Sequence, residues 1–162
     1  YISFDSKMYN KKILIRKANQ SDCGDILKWR NDEISRKMSF NPKIITANMH
    51  KVWFFEVLNN NNKIMYIGEL DNYKVGVCRF DFDKSRLVSE VSININPYIR
   101  GKGFGKLFLK SSIVKYRRNN KNNIVAKVRS DNLASIKIFT YSGFEIIRDK
   151  DNKTYLKKEY TK

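Results

Sequence analysis

Val88-Ser-Glu-Val-Ser-Ile-Asn-Ile-Asn96, followed by Pro97-Tyr-Ile-Arg100-Gly101-Lys102-Gly103-Phe104-Gly105-Lys106, is the stretch on which the fold turns. Its first part alternates: Val91, Ile93 and Ile95 point one way, and Glu90, Ser92, Asn94 and Asn96 the other. One face of such a strand packs on a core, and the other presents a row of hydrogen-bonding groups. Pro97 ends the strand because it has no N–H for a ladder. Three glycines in five residues then lead into a helix with Phe104, Leu107, Phe108 and Val114 on one stripe, widened by Leu109, Ile113 and Tyr116. A glycine turn between strand and helix reads as a phosphate cradle, because backbone amides can converge on an anion that the helix dipole also favours. Arg100, Lys102 and Lys106 add positive charge. A glycine turn with no ligand is the plainer alternative. Two better-known cradles are excluded: a dinucleotide fingerprint from Gly101 meets Lys106 where it needs Gly, and a Walker loop ending at Gly105-Lys106 meets Leu107 where it needs Ser or Thr.

Outward from this stretch the periodicity changes from element to element. Lys12–Arg16 reads as a first strand, and Ser21-Asp22 as the cap of a helix carrying Ile26, Leu27 and Trp29. A second helix is expected after Thr46, with Trp53/Val57 and Phe54/Leu58 as apolar pairs one turn apart. Lys63–Leu70, Lys74–Phe82 and Val88–Asn96 read as three strands, with Asp71-Asn72 as a hairpin turn. After the glycine-led helix come a strand at Asn123–Val128, a helix over Leu133–Ser142 with Gly143 at its C′ position, and a hairpin of Phe144–Arg148 with Thr154–Tyr160. Strands outnumber helices and hairpins flank one strand–loop–helix–strand unit. The expected class is α+β, a mixed and mostly antiparallel sheet flanked by about four helices, in a single domain over residues 1–162.

Composition narrows the partners. The chain has 162 residues, 33 basic against 16 acidic, and a net charge of +17. Such a field attracts anions, phosphorylated small molecules among them. Most of the excess is lysine, and arginine is not gathered on one helix among stacking aromatics, so nucleic acid is not indicated. Lys115-Tyr116-Arg117-Arg118 lies at an expected helix C-terminus, where the dipole favours cations anyway. Cys23, Cys78 and the single His50 are too few for a disulfide framework or a Cys/His zinc site. No apolar run approaches a membrane span and no signal core marks the first thirty residues, so a soluble, cytoplasmic protein is expected, as monomer or homodimer.

Arg100-x-x-Gly103-x-Gly105 after a polar-faced strand ending in Pro97 resembles the pyrophosphate loop of the GCN5-related N-acetyltransferases (GNAT). Asn132, Ser135, Ile136 and Gly143-Phe144 resemble that family's closing helix, and the preceding elements follow its order. The resemblance implies a sheet splayed at the cofactor site and acetyl-CoA as acetyl donor. By it, the backbone of Ile93, Asn94 and Ile95 binds pantetheine. The amides of Gly101, Lys102, Gly103, Phe104, Gly105 and Lys106 hold the pyrophosphate, helped by the charges of Arg100 and Lys102. Asn132 bonds the pantetheine arm, though as a residue it equally suits a plain helix cap.

The implied reaction is attack of a neutral primary amine on the acetyl thioester. Glu90 is the candidate base, seven residues before Pro97 as in related enzymes, acting directly, through water, or by binding the ammonium; a surface carboxylate is its plain alternative. Related enzymes place a tyrosine acid four residues before the Gly-Phe pair, where this chain has Phe139. Tyr141 is about 200° further round the helix and faces elsewhere. A thiol of pKa ~8.5 can leave as thiolate, and Phe139 then packs beside the thioester.

The acceptor pocket of the family is built by the first two helices. Trp29-Arg30-Asn31, then Met38, then His50 with Trp53 close behind, are similar to nucleotide-sugar N-acetyltransferases of pseudaminic-acid pathways. That similarity places Arg30, Asn31, Met38 and His50 at the acceptor. At pH 7 an amine of pKa ~8 is about 10% neutral and a lysine about 0.04%, a difference of roughly 3 kcal/mol in favour of the weaker base. A nucleotide-linked amino-sugar is therefore the expected acceptor. A ribosomal-protein-type N-terminal acetyltransferase, a non-catalytic coenzyme A binder and a basic nucleic-acid-binding module are the other readings.

Overall fold

The computed structural model describes residues 12–161. The first strand, β1 (Leu14–Lys17), starts two residues later than Lys12. Asn19, not Ser21, opens the next element: its side chain accepts the Ser21 amide and starts a 3-10 turn (Gln20–Asp22) that runs into α1 (Cys23–Asn31). Asp32 then accepts the Ser35 amide and caps a five-residue helix, α2 (Glu33–Lys37), too short for apolar spacing to reveal. Thr46 caps α3 (Ala47–Asn59), as expected. The remaining elements are β2 (Lys63–Leu70), β3 (Tyr73–Asp83), β4 (Val88–Ile95), α4 (Phe104–Arg117), β5 (Asn123–Arg129), α5 (Leu133–Tyr141), β6 (Glu145–Lys150) and β7 (Lys153–Lys158). Asp71-Asn72 and Asp151-Asn152 all have positive φ, so both hairpins close on the left-handed turns that match strand twist.

The strands form one sheet in the order β1-β2-β3-β4-β5-β7-β6. Among the described strands only β4 and β5 pair in parallel, as expected where a helix connects two strands. One face is covered by α4 and α5, around Phe80, Phe104, Phe108, Leu109, Tyr116 and Phe139. The other is covered by α1 and α3, where Ile26, Trp29, Phe54 and Val57 pack on Met65, Ile67 and Val77. The inward stripe of α4 is Phe104, Phe108, Leu109, Ser112, Ile113 and Tyr116. Leu107 and Val114, expected on that stripe, are exposed: positions repeating every four residues from Phe104 face the sheet, and these two fall off that line.

The parallel pairing is short. Val88, Ser89 and Glu90 pair with Asn123, Ile124 and Val125, and the ladder stops there. On its other side β4 pairs with β3 from Val88 through Ile95. From Val91 onward β4 and β5 therefore diverge. This is the splay that the family resemblance implied, and it opens directly before the glycine loop.

Candidate active site

The splayed half of β4 carries Ile93, Asn94 and Ile95. Ile93 and Ile95 pack against the α4 core, which leaves their backbone along the edge facing the gap. Gly101 and Gly103 have φ of 75° and 80°, a region other residues adopt only at a cost, so the loop conformation depends on glycine at both. Helices α2, α3 and α5 each begin under a side-chain cap, whereas α4 begins at Gly103 with none. An uncapped N-terminus beside a strand edge, with Lys102 and Lys106 at its rim, fits a diphosphate followed by an amide-bearing arm. The third glycine serves packing: a Cβ on Gly105 would lie 2.6 Å from Ile138 Cδ1, so α4 and α5 approach closely. Phe104 is a core side chain. The Lys106 ammonium lies 4.7 Å from the Tyr141 ring, and Tyr141 is exposed and turned away from the core, as helical geometry predicts.

Two expected contacts of the cofactor arm have structural partners. Asn132 accepts the Ser135 amide at 3.1 Å and caps α5 with its carbonyl oxygen, which leaves the amide NH2 out of the cap. Phe139 is 2% exposed and packs edge-on against Phe144, with ring centroids 5.1 Å apart.

Glu90 lies on the opposite face, the one covered by α1 and α3, at the last paired position before the splay, and it is exposed. Directly across the β3–β4 ladder is Asp81, so two carboxylates stand side by side. Arg79, across from Ser92, donates from Nε to both Asp81 oxygens at 3.0 Å, and its guanidinium lies 5.2 Å from the Trp53 ring. Arg79 and Asp81 escape a reading of the sequence because the register that sets them beside Ser92 and Glu90 depends on how the chain turns between β3 and β4. Their alternation with the buried Cys78 and Phe80 is the available signal.

Three of the residues expected at the acceptor, Arg30, Asn31 and His50, bond the protein's own backbone, while Arg30 Nη1 is buried with no partner among the described residues. His50 is 2% exposed; its Nε2–H donates to the Cys23 carbonyl at 3.0 Å, and the ring stacks on Phe54. Burial pushes its pKa down against that hydrogen bond, so the imidazole is neutral and internal. Asn31 clamps Ile45, donating to its carbonyl at 2.8 Å and accepting its amide at 2.9 Å. Arg30 donates to the Asn41 carbonyl at 2.6 Å. Met38 ends α2 and is half-buried. All but His50 thus shape the segment over residues 38–46, whose Phe40 ring lies 5.4 Å from the Lys127 ammonium of β5.

Comparison with known proteins agrees with this geometry. Residues 15–161 match the family described as the acetyltransferase (GNAT) domain. An L-methionine sulfoximine/L-methionine sulfone acetyltransferase of Salmonella typhimurium is 27% identical over 137 residues, covering 82% of this chain and 80% of that protein. An L-amino acid N-acyltransferase of Escherichia coli is likewise 27% identical, over 82% of this chain and 79% of its own. In three dimensions, an acetyltransferase of Salmonella typhimurium solved with its cofactor acetyl-CoA superposes with a TM-score of 0.77 at 22% identity, over 94% of this chain and 96% of that one. The chain belongs to the GNAT family and is an N-acetyltransferase that takes its acetyl group from acetyl-CoA.

Proposed function

We propose that the acceptor is the primary amine of a small amino-acid-like molecule, bound at the carboxylate pair Glu90 and Asp81. The observation that carries this reading is the β3–β4 register, which puts two carboxylates and one guanidinium on the face beside the splay. Arg79, Asp81 and Glu90 sum to one negative charge, which suits an ammonium, while Arg79 keeps a positive group within reach of a zwitterion's carboxylate. The relatives named for amino acids support the same class. The nucleotide-linked amino-sugar has less support, since Arg30, Asn31 and His50 already bond the protein's own backbone.

Bound acetyl-CoA supplies an acyl carbon already activated as a thioester. Glu90 binds the acceptor as ammonium and takes its proton, so that the nitrogen lone pair is free to attack. The β4 edge and the loop hold the donor at the gap. The leaving sulfur needs little help at neutral pH because its thiol is a weak base's conjugate acid, with pKa ~8.5.

Free-thiol release from acetyl-CoA tests the reading against three acceptor sets: L-methionine sulfoximine with other amino acids, nucleotide-linked amino-sugars, and peptides with free N-termini. Turnover with the amino acids alone is expected. Turnover confined to the sugars restores the nucleotide-sugar reading, and turnover confined to peptides moves the enzyme to protein modification.

A further inference from the structure

The guanidinium of Arg100 is held by α2. Nη1 donates to Asp32 Oδ2 at 2.6 Å and Nη2 donates to Ser35 Oγ at 2.5 Å. Ser35 Oγ passes its own proton on to Asn94 Oδ1 at 3.1 Å, and Asp32 Oδ2 also accepts the Ser35 amide at 3.0 Å. Arg100 and Asn94 belong to the loop and strand of the cofactor side, while Asp32 and Ser35 open α2. That helix leads straight into the 38–46 segment, which is fixed from within. Arg36 bonds the carbonyls of Asn31 and Pro42, Arg30 bonds Asn41, and Asn31 bonds Ile45. The segment reaches Lys127 through Phe40, across the gap from Glu90. A line of charge-assisted bonds thus runs from the diphosphate loop to the wall of the acceptor face.

We propose that Arg100 is a positioning residue: its fork on Asp32 and Ser35 couples the ordering of the 100–106 loop to the placement of α2 and the 38–46 segment against the acceptor. The proposal rests on assigning that loop to the cofactor's diphosphate. A two-pronged guanidinium fixes orientation as well as distance, which a single lysine contact does not. Both side chains of the Arg100–Asp32 pair are only a quarter exposed, so the contact is less screened than an open surface pair. The diphosphate is then left to the loop amides and to the field of Lys102 and Lys106.

Hydrogen exchange with and without saturating CoA tests this, and needs no acceptor. In the unaltered protein CoA slows exchange at 100–106 and also at 33–46, by ~3-fold or more at each. Asp32→Asn removes the charge but keeps a good helix cap, so α2 stays folded. In Asp32→Asn and in Ser35→Ala, protection at 100–106 persists and CoA-dependent protection at 33–46 is lost, while the Kd for CoA moves by less than ~3-fold. Protection at 33–46 that survives in both variants, or that is missing from the unaltered protein, overturns the proposal. So does a ~10-fold or larger loss of CoA affinity in Arg100→Ala with pantetheine affinity unchanged, which makes Arg100 a diphosphate ligand. CoA binding with no protection at 100–106 overturns the loop assignment, and the brace with it.

Discussion

Glu90→Gln keeps the size and hydrogen-bonding reach of the side chain and removes its ability to take a proton. With the carboxylate as base, kcat falls ~100-fold or more, a typical loss for a positioned proton acceptor, while the CoA Kd stays put because Glu90 lies across the sheet from the α4 core. Steady-state rates alongside CoA titration check both halves. Phe139 makes a second test at this scale. Its ring is enclosed by Phe144 and the core, so a hydroxyl added by Phe139→Tyr meets no partner in the described packing. If the thiolate leaves unaided, kcat in Phe139→Tyr stays within ~3-fold of the unaltered enzyme. A rise of ~10-fold instead marks thiolate departure as the slow step. Residue roles were the least legible part of the sequence. Strand alternation and a fixed distance to Pro97 mark Glu90 as a candidate, and it stands exposed at the last paired position before the splay. Arg30, Asn31 and His50 each bond a carbonyl some eleven to twenty-seven positions away, and in one dimension a polar side chain with such a partner looks like one that awaits a ligand.

Elements were far more legible, since each rests on local chemistry. The Asp71-Asn72 turn, the Thr46 cap, Gly143 at φ 84° and the alternation of β4 are short-range signals, and all stand where the sequence puts them. Strand ends shift by a residue or two, whereas α2 and the start of α1 are set by side-chain caps from Asp32 and Asn19 rather than by periodicity. Close approach between elements is also invisible in one dimension, and two glycines carry it with different consequences. A Cβ on Gly76 would lie 2.5 Å from the Asn94 carbonyl oxygen and 3.1 Å from Ile95 Cα, both backbone atoms that cannot turn aside. Gly76→Ala therefore pushes β4 away from β3 at the pantetheine edge. It costs ~2–3 kcal/mol of stability and weakens CoA binding ~10-fold. On Gly105 the first obstacle is the tip of Ile138, which can rotate, so Gly105→Ala costs ~1 kcal/mol and leaves CoA affinity within ~3-fold. Thermal melts and CoA titration of the two variants separate these outcomes.

At the scale of the whole molecule, a net charge of +17 hides how the few buried charges are arranged. Asp22 has no exposed side-chain surface, and it accepts from Arg16 Nη1 and Nη2 at 2.8 Å each and from Lys74 Nζ at 2.9 Å. Arg16 also reaches Glu69 at 2.8 Å, and Lys74 reaches Asp25 at 2.8 Å. One carboxylate thereby ties β1, the entry to α1 and β3 together, across the edge of the sheet remote from the β6–β7 hairpin. Burial pushes its pKa up, but Arg16, the Asn19 amide and Lys74 outweigh burial and hold it down at about 2. A carboxyl whose folded pKa is depressed contributes its full stability above the unfolded value near ~3.9, and the contribution drains away as pH falls through the folded value. Asp22→Asn keeps the volume and one acceptor but takes the buried charge partner from two cations, which keep Glu69 and Asp25 and are a quarter exposed, so the loss is partly offset. The expected cost is ~2–3 kcal/mol at pH 7. Below pH 2 the unaltered protein has lost this advantage too, so the gap between the two denaturation midpoints narrows steadily from pH 4 downward. Urea unfolding of both proteins across that range reads the gap directly, and a gap that stays constant shows the carboxylate is not the group that titrates.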